Sequence, residues 1–556
     1  MCYKALGIRI NSILTICFLH IIGLIFLNSC SVGHDFGNVQ IDAAPPQDLS
    51  LTINGEDSID SRTVTVDLSA EDDTAITGYY VSEEPQAPSP DDARWAAIEP
   101  VGVLEIKISH ELSEGYGEKT LYAFVRDSSN NVSSTVSSVK RVVVGSKTAN
   151  PNVVMIVVDT LRADHLPAWG YARDTAPNIA EFAGQSVVFK NAIAPAAWTY
   201  PSYASMLLGK FAFNHEHNVY EKKRIEEGAA LPIHMKYKGY ATVSLQTNVL
   251  VEYLDADFDE RFQIVDGSNL DQQIVQKAVK WLDADANKDR TFFMFVGLIS
   301  PHWDYDPGRS YLYDFVNDDV YASSGNKVVS FSDGIAYTDL NSDVQACIAE
   351  PLSIEGIYQD SRLYVAAYDS EIRFADYSIG VLLESLKAKG LYDDSLIIIT
   401  ADHGENMTDH TNYFSHGDNL YNSLLHVPLL IKFPGQTESL SVDEYVRTID
   451  ALPTVLDYLN LDVDSLSIDG KSLIPVVNGQ DVNFGGRPVI SYIAGSWDHS
   501  EKISLIKDGY KLIKTGDETE LFDLALDPNE QRNIAGLDTD RVNSFNIQLN
   551  QYYSAQ

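Results

Sequence analysis

Two unbroken runs of β-branched and apolar residues, Val153–Val158 and Leu396–Ala401, set the frame of this chain. Each is only strand-length and rich in Val and Ile, so each reads as a strand buried on both faces. Both end on hard ligands, the first on Asp159 and the second on Asp402-His403. Similar runs at 241–246, 292–299 and 427–432 alternate with stretches of helical period near 177–184, 202–208, 270–285 and 361–389. That alternation predicts a doubly wound α/β domain over 150–477 with helices on both faces of its sheet. Ligands in such sheets gather at the carboxyl ends of the strands, so Asp159, Asp402 and His403 can meet at one metal ion despite their separation in sequence. Ahead of Asn152 the period drops to two, in Thr63–Leu68, Leu121–Val125 and Val139–Val144, with turn clusters such as Asp127–Asn131 between. This predicts an all-β sandwich over 48–146, preceded by a tether (30–47) through Pro45-Pro46. After 478 a smaller α+β unit is expected, with strand-like Lys511–Lys514 and a final polar helix running towards 556.

The first 29 residues change the picture of where the protein works. Lys4 and Arg9 precede an apolar stretch from Ile13 to Phe26, and Leu27-Asn28-Ser29-Cys30 follows. This is an export signal, and its end resembles a bacterial lipoprotein processing box, which makes Cys30 the expected lipidation site and the protein an exported lipoprotein of the bacterial cell envelope. An ordinary signal peptide or short anchor is the alternative. Cys2 and Cys17 leave with the signal, so Cys347 alone remains and no intrachain disulfide is expected. Stability must come from burial, which 556 residues with 45% hydrophobic content can supply across two or three domains. Forty basic against 79 acidic residues, a formal charge of -39, excludes nucleic acid as a partner. An anionic substrate needs a local positive centre against that field, and a metal ion supplies one.

Several motifs then agree in order. Val158-Asp159-Thr160-Leu161-Arg162-Ala163-Asp164-His165-Leu166 is followed by Gly170-Tyr171 and Thr175–Asn178. Thr199-Tyr-Pro-Ser-Tyr203 leads to Gly209, Tyr368–Ile372 lies on a predicted helix, and Thr400–Glu405 precedes His416-Gly417 and His426–Leu429. Asp450–Thr454, Asp469–Leu473, Glu520–Leu524 and Asp527-Pro528 close the series. From 152 to about 535 the chain resembles the sulfatase family of the alkaline phosphatase superfamily, and its N-terminal β segment looks like an immunoglobulin or fibronectin type III module.

The resemblance implies an ester hydrolase whose metal is held by Asp159, Asp402, His403 and the side-chain oxygen of Thr199. Mixed oxygen and imidazole donors favour one Mn²⁺ or Zn²⁺, with Mg²⁺ and Ca²⁺ as alternatives. Many sulfatases oxidise a Cys or Ser to formylglycine within a Cys/Ser-x-Pro-x-Arg context; Thr199 cannot follow that route and Tyr203 stands at the Arg position. Formylglycine is therefore not expected. An unmodified Thr199, activated by the metal, is the expected nucleophile, as in the phospho-transferring relatives; the alternative is that Thr199 merely caps a helix. His302, in Ser300–Asp304, is the expected general acid. Lys210, Asn248 and His416 are weaker candidates for substrate contact, and Arg162 is expected in a structural ion pair. The expected substrate is an anionic sulfate, phosphate or phosphonate ester, glycan- or lipid-linked. Two rival readings stay open: an envelope transferase passing a phosphoryl-type group to an alcohol, and a catalytically inactive homologue that binds sulfated glycan.

Overall fold

The computed structural model describes most of residues 43–553; residues 1–42, 113–116, 143–150, 303–304, 306–314, 316–360, 481–485, 496–499 and 554–556, with a few shorter stretches, lie outside the described residues. The targeting segment, Cys30, Cys347 and most of the Tyr- and Asp-rich stretch after Trp303 are therefore outside them.

Strands fill the span where a period of two predicted them: β1 (Gln47–Ile53), β2 (Ser58–Ile59), β3 (Thr63–Ser82), β4 (Ala96–Glu111), β5 (Gly117–Asp127) and β6 (Val136–Val142). The register of β3 breaks between Glu71 and Ile76; before the break it pairs with β1 and the second half of β4, after it with β5 and the first half of β4. β3 thus changes partners across a register break within one six-stranded sheet. Alternate residues Val64, Val66, Leu68 and Ala70 of β3 share a core with Leu121, Ala123 and Val125 of β5.

The second sheet has eight strands, β7 (Asn152–Val158), β8 (Val187–Ile193), β9 (Ala241–Gln246), β10 (Glu260–Gln263), β11 (Phe292–Leu298), β12 (Ser395–Ala401), β13 (His426–Lys432) and β14 (Leu440–Arg447), in the order β10-β9-β11-β7-β12-β13-β8-β14. All neighbours are parallel except β13, which runs against both β12 and β8. Every residue of β9, β11 and β12 is buried, because helices cover both faces. On one face α1 (Pro177–Ala183), α5 (Leu270–Asp283) and α6 (Ser361–Ala388) close a core with Val154, Ile156 and Val158; on the other, α2 (Thr199–Leu208), α3 (Leu231–Tyr237), α4 (Val249–Glu252) and α7 (Ala451–Tyr458) close a core with Val153, Met155 and Val157. The doubly wound expectation holds in that sense, with one antiparallel strand added.

Beyond 478 the chain forms a smaller α+β unit that packs on the large sheet. Four antiparallel strands, β15 (Val489–Ile493), β16 (Lys502–Lys507), β17 (Tyr510–Thr515) and β18 (Glu518–Asp523), do form their own sheet. One face, however, places Val489, Ile493, Ile506, Ile513 and Phe522 in the core of the large sheet. The other face packs Leu505, Leu512 and Leu521 against Phe545 and Leu549 of the final helix, α8 (Thr539–Tyr553). Ser491 Oγ donates to Ala194 O at 2.6 Å, and the Tyr492 backbone N–H donates to Pro195 O at 2.9 Å, so β15 also braces the loop that leads into α2.

Candidate metal centre

Strand register brings the ligands together. Val158 of β7 is paired with Leu298 of β11 on one side and with Ala401 of β12 on the other. The residues that follow, Asp159, Ile299 and Asp402, thus leave the sheet at one level, and the Asp159 N–H donates to Leu298 O at 2.9 Å. Asp159, Asp402 and His403 are fully buried, and one ligand atom from each lies within 4.8 Å of the others. Each carboxylate has one oxygen occupied. Asn248 Nδ2 donates to Asp159 Oδ2 at 2.5 Å, while the backbone N–H groups of His403 and Thr160 donate to Asp402 Oδ1 at 2.8 and 3.2 Å. The other oxygens, Asp159 Oδ1 and Asp402 Oδ2, have no hydrogen-bond partner among the described residues. These two face His403 Nε2, at 3.8 and 3.6 Å.

His403 Nδ1 lies 2.8 Å from Gly404 O, a contact that places the ring proton on Nδ1 and leaves the Nε2 lone pair for the cluster. Thr199 Oγ1 stands 3.3 Å from that same Nε2. Donor atoms arranged tetrahedrally about 2.1 Å from a cation stand about 3.4 Å apart, so the observed spacings fit one small divalent ion. Two unpartnered buried carboxylate oxygens without a cation are costly: burial first, and then Asp402, pushes the Asp159 carboxyl well above the usual carboxylate range. Asp402 is raised by burial, and burial takes His403 down to about 4, so its imidazole is neutral, as a metal ligand must be.

Thr199 is the first residue of α2 rather than its cap. Trp198 is the N-cap and makes no side-chain capping bond, so the expected alternative of a capping threonine does not describe this hydroxyl. The helix starts three residues earlier than its apolar spacing suggested because Pro201 sits comfortably in the first turn. Ser202 Oγ donates to Asp402 O at 2.6 Å and ties that first turn to the end of β12. Tyr203, one turn on, is fully buried against Phe295, and its hydroxyl has no partner among the described residues.

Three imidazoles line one side of the cluster. His416 has ring centroids 4.7 Å from His403 and 4.9 Å from His302. His416 Nδ1 meets Glu405 Oε1 at 3.0 Å, and its ring packs against Trp198. Burial pushes Glu405 up to about 8 and His416 down to about 4, which makes this a hydrogen bond between neutral groups. Asn248, one of the weaker candidates for substrate contact, caps α4 by accepting from the Leu250 N–H at 2.9 Å, and its amide donates to Asp159 Oδ2. Lys210 follows Gly209 past the C-terminal end of α2, the opposite end of that helix from Thr199. Arg162 is in the expected ion pair, its guanidinium held by Asp164 at 2.8 Å and Asp409 at 2.7 Å.

Sequence reasoning missed Glu405, Ser202 and Tyr368 as supports. Tyr368 donates to Thr160 O at 2.7 Å and accepts from the Arg162 N–H at 3.0 Å, which holds Thr160 at φ 55, a strained value for a β-branched residue. A cavity of about 190 Å³ between α2, α4 and the β9-β10 edge, lined by Leu207, Gln246, Phe258 and Phe262 among others, contains none of the cluster residues.

A sulfatase profile matches residues 151–461, and a profile described as N-sulphoglucosamine sulphohydrolase, C-terminal, matches residues 412–553. The chain belongs to the sulfatase family. Arylsulfatase K of Gallus gallus is 26% identical over 288 residues, which is 48% of this chain and 52% of that protein, so the match spans about half the length of this curated relative. N-acetylglucosamine-6-O-sulfatase of Bacteroides thetaiotaomicron is 23% identical over 471 residues, covering 70% of this chain and 83% of that one. Among solved structures, the phosphonate monoester hydrolase of Agrobacterium radiobacter superposes with a TM-score of 0.56 at 19% identity, over 73% of this chain and 96% of that one. A structure in complex with its substrate D-glucosamine-2-N,6-O-disulfate gives 0.57 at 19%, over 73% and 99%. These likenesses establish the sulfatase α/β fold.

Proposed function

We propose that this sulfatase-family protein is a metal-dependent hydrolase of monoanionic esters, with the unmodified Thr199 hydroxyl as nucleophile and His302 as proton donor. The observation that carries the reading is the convergence of Thr199 Oγ1 with His403 Nε2 and the two unpartnered oxygens of Asp159 and Asp402. A divalent cation held by Asp159, Asp402 and His403 would acidify the Thr199 hydroxyl and offset the charge of the ester. Thr199 Oγ1, its proton given up to solvent, then attacks sulfur or phosphorus, the bond to the alcohol oxygen breaks, and His302, starting protonated, gives that oxygen its proton. Water, passing its proton back to His302, cleaves the Thr199 ester in a second step. His416, oriented through Nδ1 by Glu405, offers Nε2 to a nonbridging oxygen.

Charge favours a monoanion. Two carboxylates balance one divalent cation, the imidazoles of His403 and His416 are neutral, and the protonated His302 that the mechanism requires leaves one positive charge for the ester to meet. Arg162 is committed to Asp164 and Asp409. A sulfate monoester, phosphodiester or phosphonate monoester brings one negative charge into this site, and a phosphate monoester brings two. Tyr203 carries no charge to support an aldehyde hydrate, which agrees with an unmodified threonine. The names of the relatives point to sulfated amino sugars among the candidate substrates. Export and lipidation at Cys30, and an immunoglobulin- or fibronectin-like role for the β module as a spacer, complete the proposal.

The test is a parallel assay of aryl sulfate, phosphodiester, phosphonate monoester and phosphate monoester with Mn²⁺ or Zn²⁺, together with the intact mass of the chain. Turnover of a monoanionic class with Thr199 unmodified supports the reading; best turnover of the phosphate monoester, or full activity in Thr199→Val, overturns it.

A further inference from the structure

Asp271 is fully buried near the start of α5, and no step above uses it. Its Oδ1 accepts from the Ile299 backbone N–H at 2.9 Å and faces the Thr247 hydroxyl at 3.4 Å, while Oδ2 accepts from the Ser300 N–H at 3.2 Å. These donors stand at the exits of two adjacent strands. Thr247 follows β9, and Ile299 and Ser300 follow β11. The same Thr247 hydroxyl lies 3.1 Å from Gly297 O, which binds the two exits to each other. From Ile299 the chain turns at once to His302, whose N–H donates to Ile299 O at 2.8 Å, so the turn that carries the imidazole hangs from the Asp271 carboxylate.

A carboxylate is an expensive group for this task. Burial raises Asp271 to about 6 despite the donors around it, and a neutral acceptor would satisfy the same N–H groups with less desolvation. What a carboxylate adds is two strong acceptor oxygens on one rigid plane, one aimed at each of two successive N–H groups. Such a fork fixes the orientation of a peptide turn as well as its position.

We propose that Asp271 is a positioning residue for His302, locking the β11 exit turn so that the imidazole meets the leaving oxygen. This rests on the reading of His302 as proton donor. The experiment uses the full chain, the ester class the parent protein turns over best, and two esters of that class with leaving phenols of different acidity, 4-nitrophenol and phenol. In Asp271→Asn, kcat/KM, which reports the steps up to departure of the leaving group and not the later cleavage of the Thr199 ester, stays within about threefold of the parent for the nitrophenyl ester and falls about 30-fold for the phenyl ester, because only the poorer leaving group needs the proton. Bound metal stays unchanged. His302→Ala shows the same selective loss, and the double variant is no worse than His302→Ala alone. Equal losses on both esters, no loss on either, or additive losses in the double variant overturn the proposal. If Asp271→Asn loses its near-ultraviolet circular dichroism, Asp271→Ser, which keeps one acceptor oxygen, carries the same comparison. A His302→Ala variant without leaving-group selectivity refutes the proton-donor reading itself, and a parent protein inactive on every ester refutes the wider functional reading.

Discussion

At the residue scale the site rests on which atom of each side chain is left free. Thr199→Val keeps the volume and removes the hydroxyl, so turnover is expected to fall at least about a thousandfold with metal content retained, whereas Thr199→Ser keeps measurable activity. Asn248→Leu leaves Asp159 Oδ2 without its donor; metal affinity, read by competition with a chromogenic chelator, is expected to weaken about 10- to 100-fold. Asp159, Asp402 and His403 were legible because each follows an apolar run, and strand ends are where an α/β sheet presents ligands. Their supports were less so: nothing in the spacing of Glu405 or Ser202 shows that one meets His416 and the other the Asp402 carbonyl. Several motif residues proved to serve the scaffold. Asp369 gathers His165, Tyr171 and Arg173, and Asp469 holds the Phe211 N–H and Asn214.

Among the elements, the central strands were readable and the edges were not. β7, β11 and β12 are apolar on both faces and appear as runs, and β9 alternates Ala241, Val243 and Leu245 with Thr242, Ser244 and Gln246; β8 carries Lys190 and Asn191, β14 carries Asp443 and Glu444, and β10 has four residues, so none of these last three shows a clean period. The register break in β3 was invisible because alternation continues on either side of it. Close approaches between elements depend on glycine at a few places. Gly417 has φ 82, and a Cβ there would lie 2.0 Å from Trp198 Cε3, inside the wall that seats His416. Gly417→Ala is expected to cost about 2–4 kcal/mol, read as a lower urea midpoint at unchanged m-value, and to reduce activity by displacing the imidazole.

For the whole molecule, acidity and buried carboxylates set the response to solution conditions. Asp271 and Asp376 each rise to about 6 through burial, from an ordinary 3.8. Both are protonated more readily folded than unfolded, so the stability they contribute is complete below about pH 4 and is lost as pH climbs through 6. Acidification also reduces the repulsion expected from a formal charge of -39. His403 and His416, held down to about 4 by burial, act in the opposite sense over this interval, because their unfolded imidazoles take up protons first, so the carboxyl contribution is read by difference: between pH 7.5 and 5 Asp376→Asn is expected to forgo about 1 kcal/mol of stability that the parent protein gains, and an identical pH dependence of the two urea midpoints contradicts the assignment. Chelation should lower the midpoint by about 3 kcal/mol relative to protein held at a hundred times the metal dissociation constant. The ladder that aligns Leu298, Val158 and Ala401 has a wider corollary. Since three neighbouring rungs fix where the reactive groups emerge, the intervening lengths of polypeptide can lengthen, shorten or be exchanged without disturbing the chemistry. Diversification towards new esters is then a matter of grafting inserts onto an unchanged frame.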